Sequence, residues 1–266
     1  MSINGYLTTL ASNLIIRDSE KDSIARSINT LQTRLRSYFG AEIEEQFCFG
    51  SYTRGTILPR KADASSDIDY MVVFKNSYGY KPETFFKRLK NFANHWYSTS
   101  EIYRDSPTIV LELNHIKFEL VPAYNASIYS WTKQYNIPAP RTDYADWMTT
   151  DPNGFNSKLT DKNTSEKSLI KPLGRLLKYW NTRNGHVYSS YELEQHIIDK
   201  GYWFDNNLRD YFYTAVASLP TYGLSYTNLN KVNNLKSKVE EIKRYELSDC
   251  PFTAKVELEK LIPNIL

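Results

Sequence analysis

Two aspartates one residue apart, Asp67-Ile68-Asp69, lead into the apolar run Tyr70-Met71-Val72-Val73-Phe74. No other feature of the chain limits its fold as tightly. A short run of β-branched and aromatic residues reads as a strand. On a strand, residues i and i+2 share a face and lie about 7 Å apart, so both carboxylates point the same way. Like charges at that spacing repel unless a cation comes between them. Oxygen ligands of this kind suit a hard divalent ion such as Mg²⁺. Upstream, Phe47-Cys48-Phe49 runs into Gly50-Ser51 and then Tyr52-Thr53-Arg54-Gly55-Thr56, which reads as strand, tight turn and short helix. A turn that opens a helix presents backbone N–H groups to a phosphate. The stretch from Phe47 to Phe74 thus reads as a metal-dependent site for a nucleoside triphosphate.

The remaining chain is arranged around that stretch. Residues 6–16 read as a first helix. Ser19-x-x-Asp22 resembles a capping box ahead of a second helix. That helix carries Ile24, Ile28, Leu31, Leu35 and Phe39 on one stripe and ends at Gly40. Ile43 to Phe49 reads as a strand. Pro82 suits the first position of a helix whose stripe is Phe85, Phe86, Leu89, Phe92, Ala93 and Trp96. Glu101–Arg104 reads as a short strand, and Thr108–Leu113 and Ile116–Val121 as a hairpin joined at Asn114-His115. The second arm carries Glu119 between Phe118 and Leu120, a third acid for the site, with Glu112 on the first arm as a weaker substitute. From Tyr124 to Asn163 the chain, with Pro138, Pro140, Pro152 and Gly154, reads as irregular and as the crossing between two lobes. Beyond it, helices are expected around Leu169–Trp180 and over 189–199, 205–218, 228–244 and 251–262.

Composition narrows the function classes. The 266 residues can bury a large core. With 41% hydrophobic and 24% charged residues, the chain has the balance of a soluble globular protein. A net charge of +3 and the absence of a long basic run do not require a nucleic-acid partner. Cys48 and Cys250 give neither a disulfide framework nor a zinc pattern. No apolar stretch is long enough to span a membrane, and no signal peptide is evident, so a cytoplasmic location is expected.

Gly50-Ser51, a spacer, Asp67-x-Asp69 and a later acid on a strand resemble the DNA polymerase β-like nucleotidyltransferase superfamily. Phe49-Gly50-Ser51-Tyr52-x-Arg54-Gly55-Thr56, Asp67-Ile68-Asp69-Tyr70-Met71-Val72-Val73 and Phe118-Glu119-Leu120-Val121-Pro122-Ala123 are similar to the bacterial cGAS/DncV-like nucleotidyltransferases (CD-NTases). So are Trp147-x-x-Thr150-Asp151-Pro152, Leu176-Leu177-Lys178-Tyr179-Trp180-Asn181 and Ser189-Ser190-Tyr191-x-Leu193-Glu194. The spacer after Ser51 is slightly long, and the third acid is Glu where Asp is commoner.

The resemblance implies an α+β fold: a two-lobed polymerase β-like nucleotidyltransferase core with a mixed, mainly antiparallel sheet, plus a C-terminal helical lobe. The expected domains are 1–160 for the core with its N-terminal helices and 161–266 for the helical lobe. It also implies roles. Gly50 and Ser51 contact the donor triphosphate. Asp67, Asp69 and Glu119 form the catalytic triad and hold two Mg²⁺ or Mn²⁺ ions. Lys178 and Ser190 reach phosphate, and Tyr191 stacks on a base. The implied activity is condensation of NTPs into a cyclic di- or trinucleotide that activates a downstream effector in antiphage defence. Nucleotidyl transfer to a protein, tRNA or small molecule stays open, as does a non-catalytic nucleotide- or RNA-binding module. An intact acidic triad weighs against the last.

Overall fold

The computed structural model describes residues 2–265 apart from 77, 106, 128–132 and 140–142. The chain begins with α1 (Ile3–Asn13) and α2 (Asp18–Phe39), followed by β1 (Ile43–Cys48), the short α3 (Gly50–Arg54) and β2 (Asp67–Phe74). Then come α4 (Pro82–Trp96), β3 (Glu101–Asp105), β4 (Thr108–Glu112), β5 (Lys117–Asn125), β6 (Tyr135–Pro138) and β7 (Trp147–Thr150). The rest is helical: α5 (Pro152–Ser165), α6 (Ile170–Arg183), α7 (Ser190–Asp199), α8 (Leu208–Ala217), α9 (Tyr226–Leu247) and α10 (Pro251–Leu261). The fold is α+β with a mainly antiparallel sheet.

The residues divide into two compact units. One holds 17–54 and 65–156; the other holds 2–16, 55–64 and 157–265. The first contains the sheet, in the order β1-β2-β5-β4-β3, with β6 pairing to the end of β5 and β7 to β6. Among the described residues, only the β2–β5 pair is parallel. Parallel neighbours need a long crossover, and α4 with the β3–β4 meander supplies it. Strand alternation sends Phe74 from β2 onto Phe39 of α2 and Phe85 of α4, with ring centroids 5.1 and 4.9 Å apart. All three rings are buried.

The second unit has its own core. Leu7 and Leu10 of α1, Leu58, and Leu173, Leu176, Leu177 and Trp180 of α6 pack with apolar residues of α7 to α10. The helix α6 is buried nearly all round, and its buried polar residues fall three apart, at Arg175, Lys178 and Asn181. Each has a partner. Arg175 donates from Nε to the Ala11 carbonyl at 3.1 Å and from Nη1 to the Gly55 carbonyl at 3.0 Å. Asn181 donates to the Tyr188 carbonyl at 2.8 Å and accepts from the Tyr188 N–H at 3.0 Å, fixing the turn into α7. Burial lowers the Arg175 guanidinium to about 10.

Three expectations need correction. The helix α2 starts at Asp18, and its N-cap Arg17 makes no side-chain bond. Ser19 lies inside the first turn, where Asp18 and Glu20 complement the helix dipole, so the capping box is absent. The span from Tyr124 to Asn163 is not irregular throughout: β6, β7 and most of α5 lie in it. Pro152 is the first residue of α5, and Asp151 accepts from the Gly154 N–H at 2.8 Å; these breakers start a helix. Pro140 lies outside the described residues. Finally, residues 2–16 and 55–64 belong with the helices because the apolar face of α1 and Leu58 join their core, which a division at residue 160 does not anticipate.

Phe74→Ala removes a fully buried ring remote from the aspartates on the same strand. We expect a loss of about 3–5 kcal/mol, measured by urea unfolding.

Candidate active site

The parallel pairing of β2 and β5 builds the site. Asp67 lies opposite Lys117, Ile68 opposite Phe118, and Asp69 opposite Glu119. Side chains alternate on both strands. Ile68, Tyr70, Phe118 and Leu120 therefore point one way and are buried, while Asp67, Asp69, Lys117 and Glu119 share the other face. Further along, that same face becomes apolar: Met71, Val73 and Ala123 cluster with Tyr135, and Phe47 packs against it. The three acids thus sit at the polar end of a face that is otherwise sealed. Antiparallel β4 places Glu112 opposite Lys117, one strand beyond the triad.

Lys117 is the residue that the motif reading missed. Its Nζ donates to Glu119 Oε1 at 2.9 Å and lies 3.5 Å from Asp67 Oδ2. The signal was in the sequence, because a lysine two residues before Glu119 on a strand must share its face. Burial works against the Lys117 charge, but the hydrogen bond and charge of Glu119, then the charge of Asp67, outweigh it and hold its pKa above the ordinary value. The Asp67 pKa also rises, which for a carboxyl means that it holds its proton. Burial first, then the charges of Asp69 and Glu119 and a hydrogen bond with Glu119, push it up to about 8 against the pull of Lys117.

Gly50 is fixed by Asp69. Its φ is +72°, and a Cβ built there would fall 1.7 Å from Asp69 Oδ2. Only glycine allows that carboxylate to approach the turn. The Phe49 N–H donates to the Asp69 carbonyl at 3.0 Å, which continues the strand pairing to the edge of α3. Ser51 is buried beside it, and Arg54 donates from Nη1 to Asn156 Oδ1 at 3.1 Å with its guanidinium over the Phe155 ring. Cys48, next to this turn, is pushed up to about 12 by burial and the Asp69 charge, so its thiol stays protonated.

The remaining predicted residues belong to the other unit. Lys178 is 5% exposed on α6, not a solvated lysine, and lies 3.7 Å from the buried Glu194 of α7. Ser190 and Tyr191 open α7, whose N-terminus is held by a true capping box. Ser189 Oγ accepts from the Glu192 N–H, and Glu192 accepts from the Ser189 N–H. Tyr191 is 56% exposed and lines a cavity of about 600 Å³ with Tyr188, Gln195, Tyr222 and Asn228.

Residues 1–163 match the Second Messenger Oligonucleotide or Dinucleotide Synthetase (SMODS) domain. The chain belongs to this family. A relative from Bacillus cereus (strain VD146), named as a probable cyclic nucleotide synthase, is 32% identical over 124 residues, 44% of this chain and 37% of that one. The matched stretch therefore spans well under half of that relative. Among solved structures, the Vibrio cholerae DncV cyclic AMP-GMP synthase in complex with the linear intermediate 5′ pppA(3′,5′)pG has a TM-score of 0.79 at 12% identity. That match covers 99% of this chain and 97% of DncV. The Bradyrhizobium diazoefficiens CD-NTase CdnG in complex with GTP has a TM-score of 0.71 at 13% identity, covering 95% and 96%. These two likenesses establish that the SMODS chain has the fold of DncV and CdnG.

Does the site of this SMODS domain suit a metal? Among the described residues, no three acidic, histidine or cysteine side chains are gathered as a ready cage. The Lys117 ammonium stands among the carboxylates, as a cation in that place would. A set of three carboxylates on one face offers all-oxygen ligands, which fit a hard divalent ion. Asp67, Asp69 and Glu119 would hold it.

The pH dependence has a definite sign. Asp67 binds its proton more tightly folded than at the ordinary 3.8. Its stabilising contribution is complete below about pH 4 and lost as pH rises through 8. Lys117, already charged throughout that range, adds nothing to the slope. Thermal melting of the metal-free SMODS protein should fall from pH 5 to pH 8.5, and 5 mM Mg²⁺ should raise Tm by more at pH 8.5 than at pH 5. Gly50→Ala, which pushes Asp69 aside and puts a side chain at a φ of +72°, is expected to lower stability by about 1–2 kcal/mol or more, measured by urea unfolding.

Proposed function

We propose that this SMODS protein condenses nucleoside triphosphates into a cyclic di- or trinucleotide, releasing pyrophosphate, and that the product is a second messenger for a downstream effector in antiphage defence. The observation that carries the reading is the placement of Asp67, Asp69 and Glu119 on one face of two in-register parallel strands, with Gly50-Ser51 held against Asp69. Membership of a family described by second-messenger oligonucleotide synthesis supports it, as do the ligands bound by DncV and CdnG.

In each condensation a ribose hydroxyl of one nucleotide forms a bond to the α-phosphorus of another, and the bond to pyrophosphate breaks. Asp67, Asp69 and Glu119 would hold two Mg²⁺ or Mn²⁺ ions, which when bound would supply charge neutralisation for the triphosphate and a lowered pKa for the attacking hydroxyl. Gly50 and Ser51 cradle the donor triphosphate through backbone N–H and hydroxyl donors. Lys178 supplies a point charge to phosphate, Ser190 a further donor, and Tyr191 a stacking face for a base. The Lys117 ammonium ties Glu119 to Asp67 across the two strands.

Incubation with the four NTPs and Mg²⁺ or Mn²⁺, followed by mass spectrometry, should give a cyclic oligonucleotide and pyrophosphate. Asp67→Ala/Asp69→Ala should lower the yield by about 10³-fold or more. Label from an NTP that ends on a protein or tRNA, with no small product, would overturn the reading.

A further inference from the structure

The helical unit buries a charged pair that no role above uses in full. Glu194 is 1% exposed and Lys178 5%, and Thr56 is completely buried. The Thr56 hydroxyl donates to Glu194 Oε1, the same oxygen that lies 3.7 Å from Lys178 Nζ. Glu194 sits on α7 four residues after Ser190, and Lys178 lies in the middle of α6. Thr56 is the second residue after α3 ends at Arg54. The Thr56 methyl faces Gly174, where a Cβ would be 3.8 Å from it, so this contact also seats Thr56 against α6.

A buried ammonium on a four-carbon stem is costly without a fixed anion. A buried carboxylate likewise needs a donor as well as a counterion. At 3.7 Å the Lys178–Glu194 contact is an ion pair beyond ordinary hydrogen-bond length. Glu194 therefore helps to set where the ammonium rests by its charge, and Thr56 helps to set where Glu194 rests by its hydroxyl. Helix position alone would not do this, because lysine has many rotamers of similar energy.

We infer that Glu194 is a positioning residue for triphosphate binding: it holds Lys178 in place for the phosphate and is itself held by Thr56. This rests on the proposed contact between Lys178 and the triphosphate. Glu194 touches no reacting atom. Its role lies in preorganisation, so that the side chain is placed before the nucleotide arrives.

The test uses the full chain, with the Kd of a nonhydrolysable ATP analogue measured by calorimetry, steady-state kcat and KM, and Tm. Lys178→Ala should weaken analogue binding. Glu194→Gln keeps the size and removes the charge; it should raise Kd and KM about tenfold while kcat changes less than about threefold. The double variant should bind no more weakly than Lys178→Ala alone, because the two residues act through one contact. Thr56→Val should weaken binding several-fold, and Thr56→Ser, which keeps the hydroxyl, should restore it to within about twofold. These Thr56 variants decide the matter if Glu194→Gln does not fold. The inference is overturned if Lys178→Ala weakens binding but Glu194→Gln and Thr56→Val lower only Tm, or if the single losses multiply in the double variant. Wild-type binding by Lys178→Ala would remove the Lys178 reading itself and this inference with it.

Discussion

The site depends on one backbone fact, the in-register parallel pairing of β2 and β5. Antiparallel neighbours can be joined by two residues, but parallel ones require a crossover, and here the crossover brings Glu119 from 50 residues away to lie opposite Asp69. A slip of one residue on either strand would turn an acid into the packed side of the sheet and bring an apolar side chain out in its place. The buried alternation Ile68, Tyr70, Val72, Phe74 and Phe118, Leu120 prevents that slip. Core packing and acid placement are therefore one constraint read from opposite faces.

Gathering three carboxylates has an electrostatic cost that the protein meets in two ways. A proton is retained on Asp67, and a lysine is inserted from the same strand as Glu119. Both offset part of the mutual repulsion of the carboxylates, and both are reversible: a proton can leave and a side chain can swing. The tight turn at Gly50 is not of that kind. Its fit to Asp69 is steric and constant, so the turn keeps its relation to the second aspartate whatever the charge state of the cluster.

Much of this was legible in the residues. Period-two alternation gave β2 and β5, the Asp-x-Asp spacing gave the shared face, and Pro82 marked the start of α4. The β4–β5 hairpin was also evident. What failed did so for physical reasons. Ser19 and Asp22 had the spacing of a cap, but Asp18 and Glu20 already stabilise the first turn, so the helix starts earlier. Prolines between 124 and 163 were read as breakers, although Pro152 at a first helical position and Pro138 at the end of an edge strand are compatible with regular structure. Glu194 could not be found, because an acid on a helix is normally solvated and only tertiary packing shows that this one is not. Lys117 could have been found, since strand period alone places it beside Glu119.

The route of the chain between its two units has a further consequence. The backbone leaves one unit for the other after residues 16, 54, 64 and 156, so each unit is made of segments that are separated in the gene. Arg175 shows how closely they are tied, since one guanidinium binds the carbonyls of Ala11 and Gly55 from α6. Neither unit can be excised, swapped or duplicated as a contiguous block.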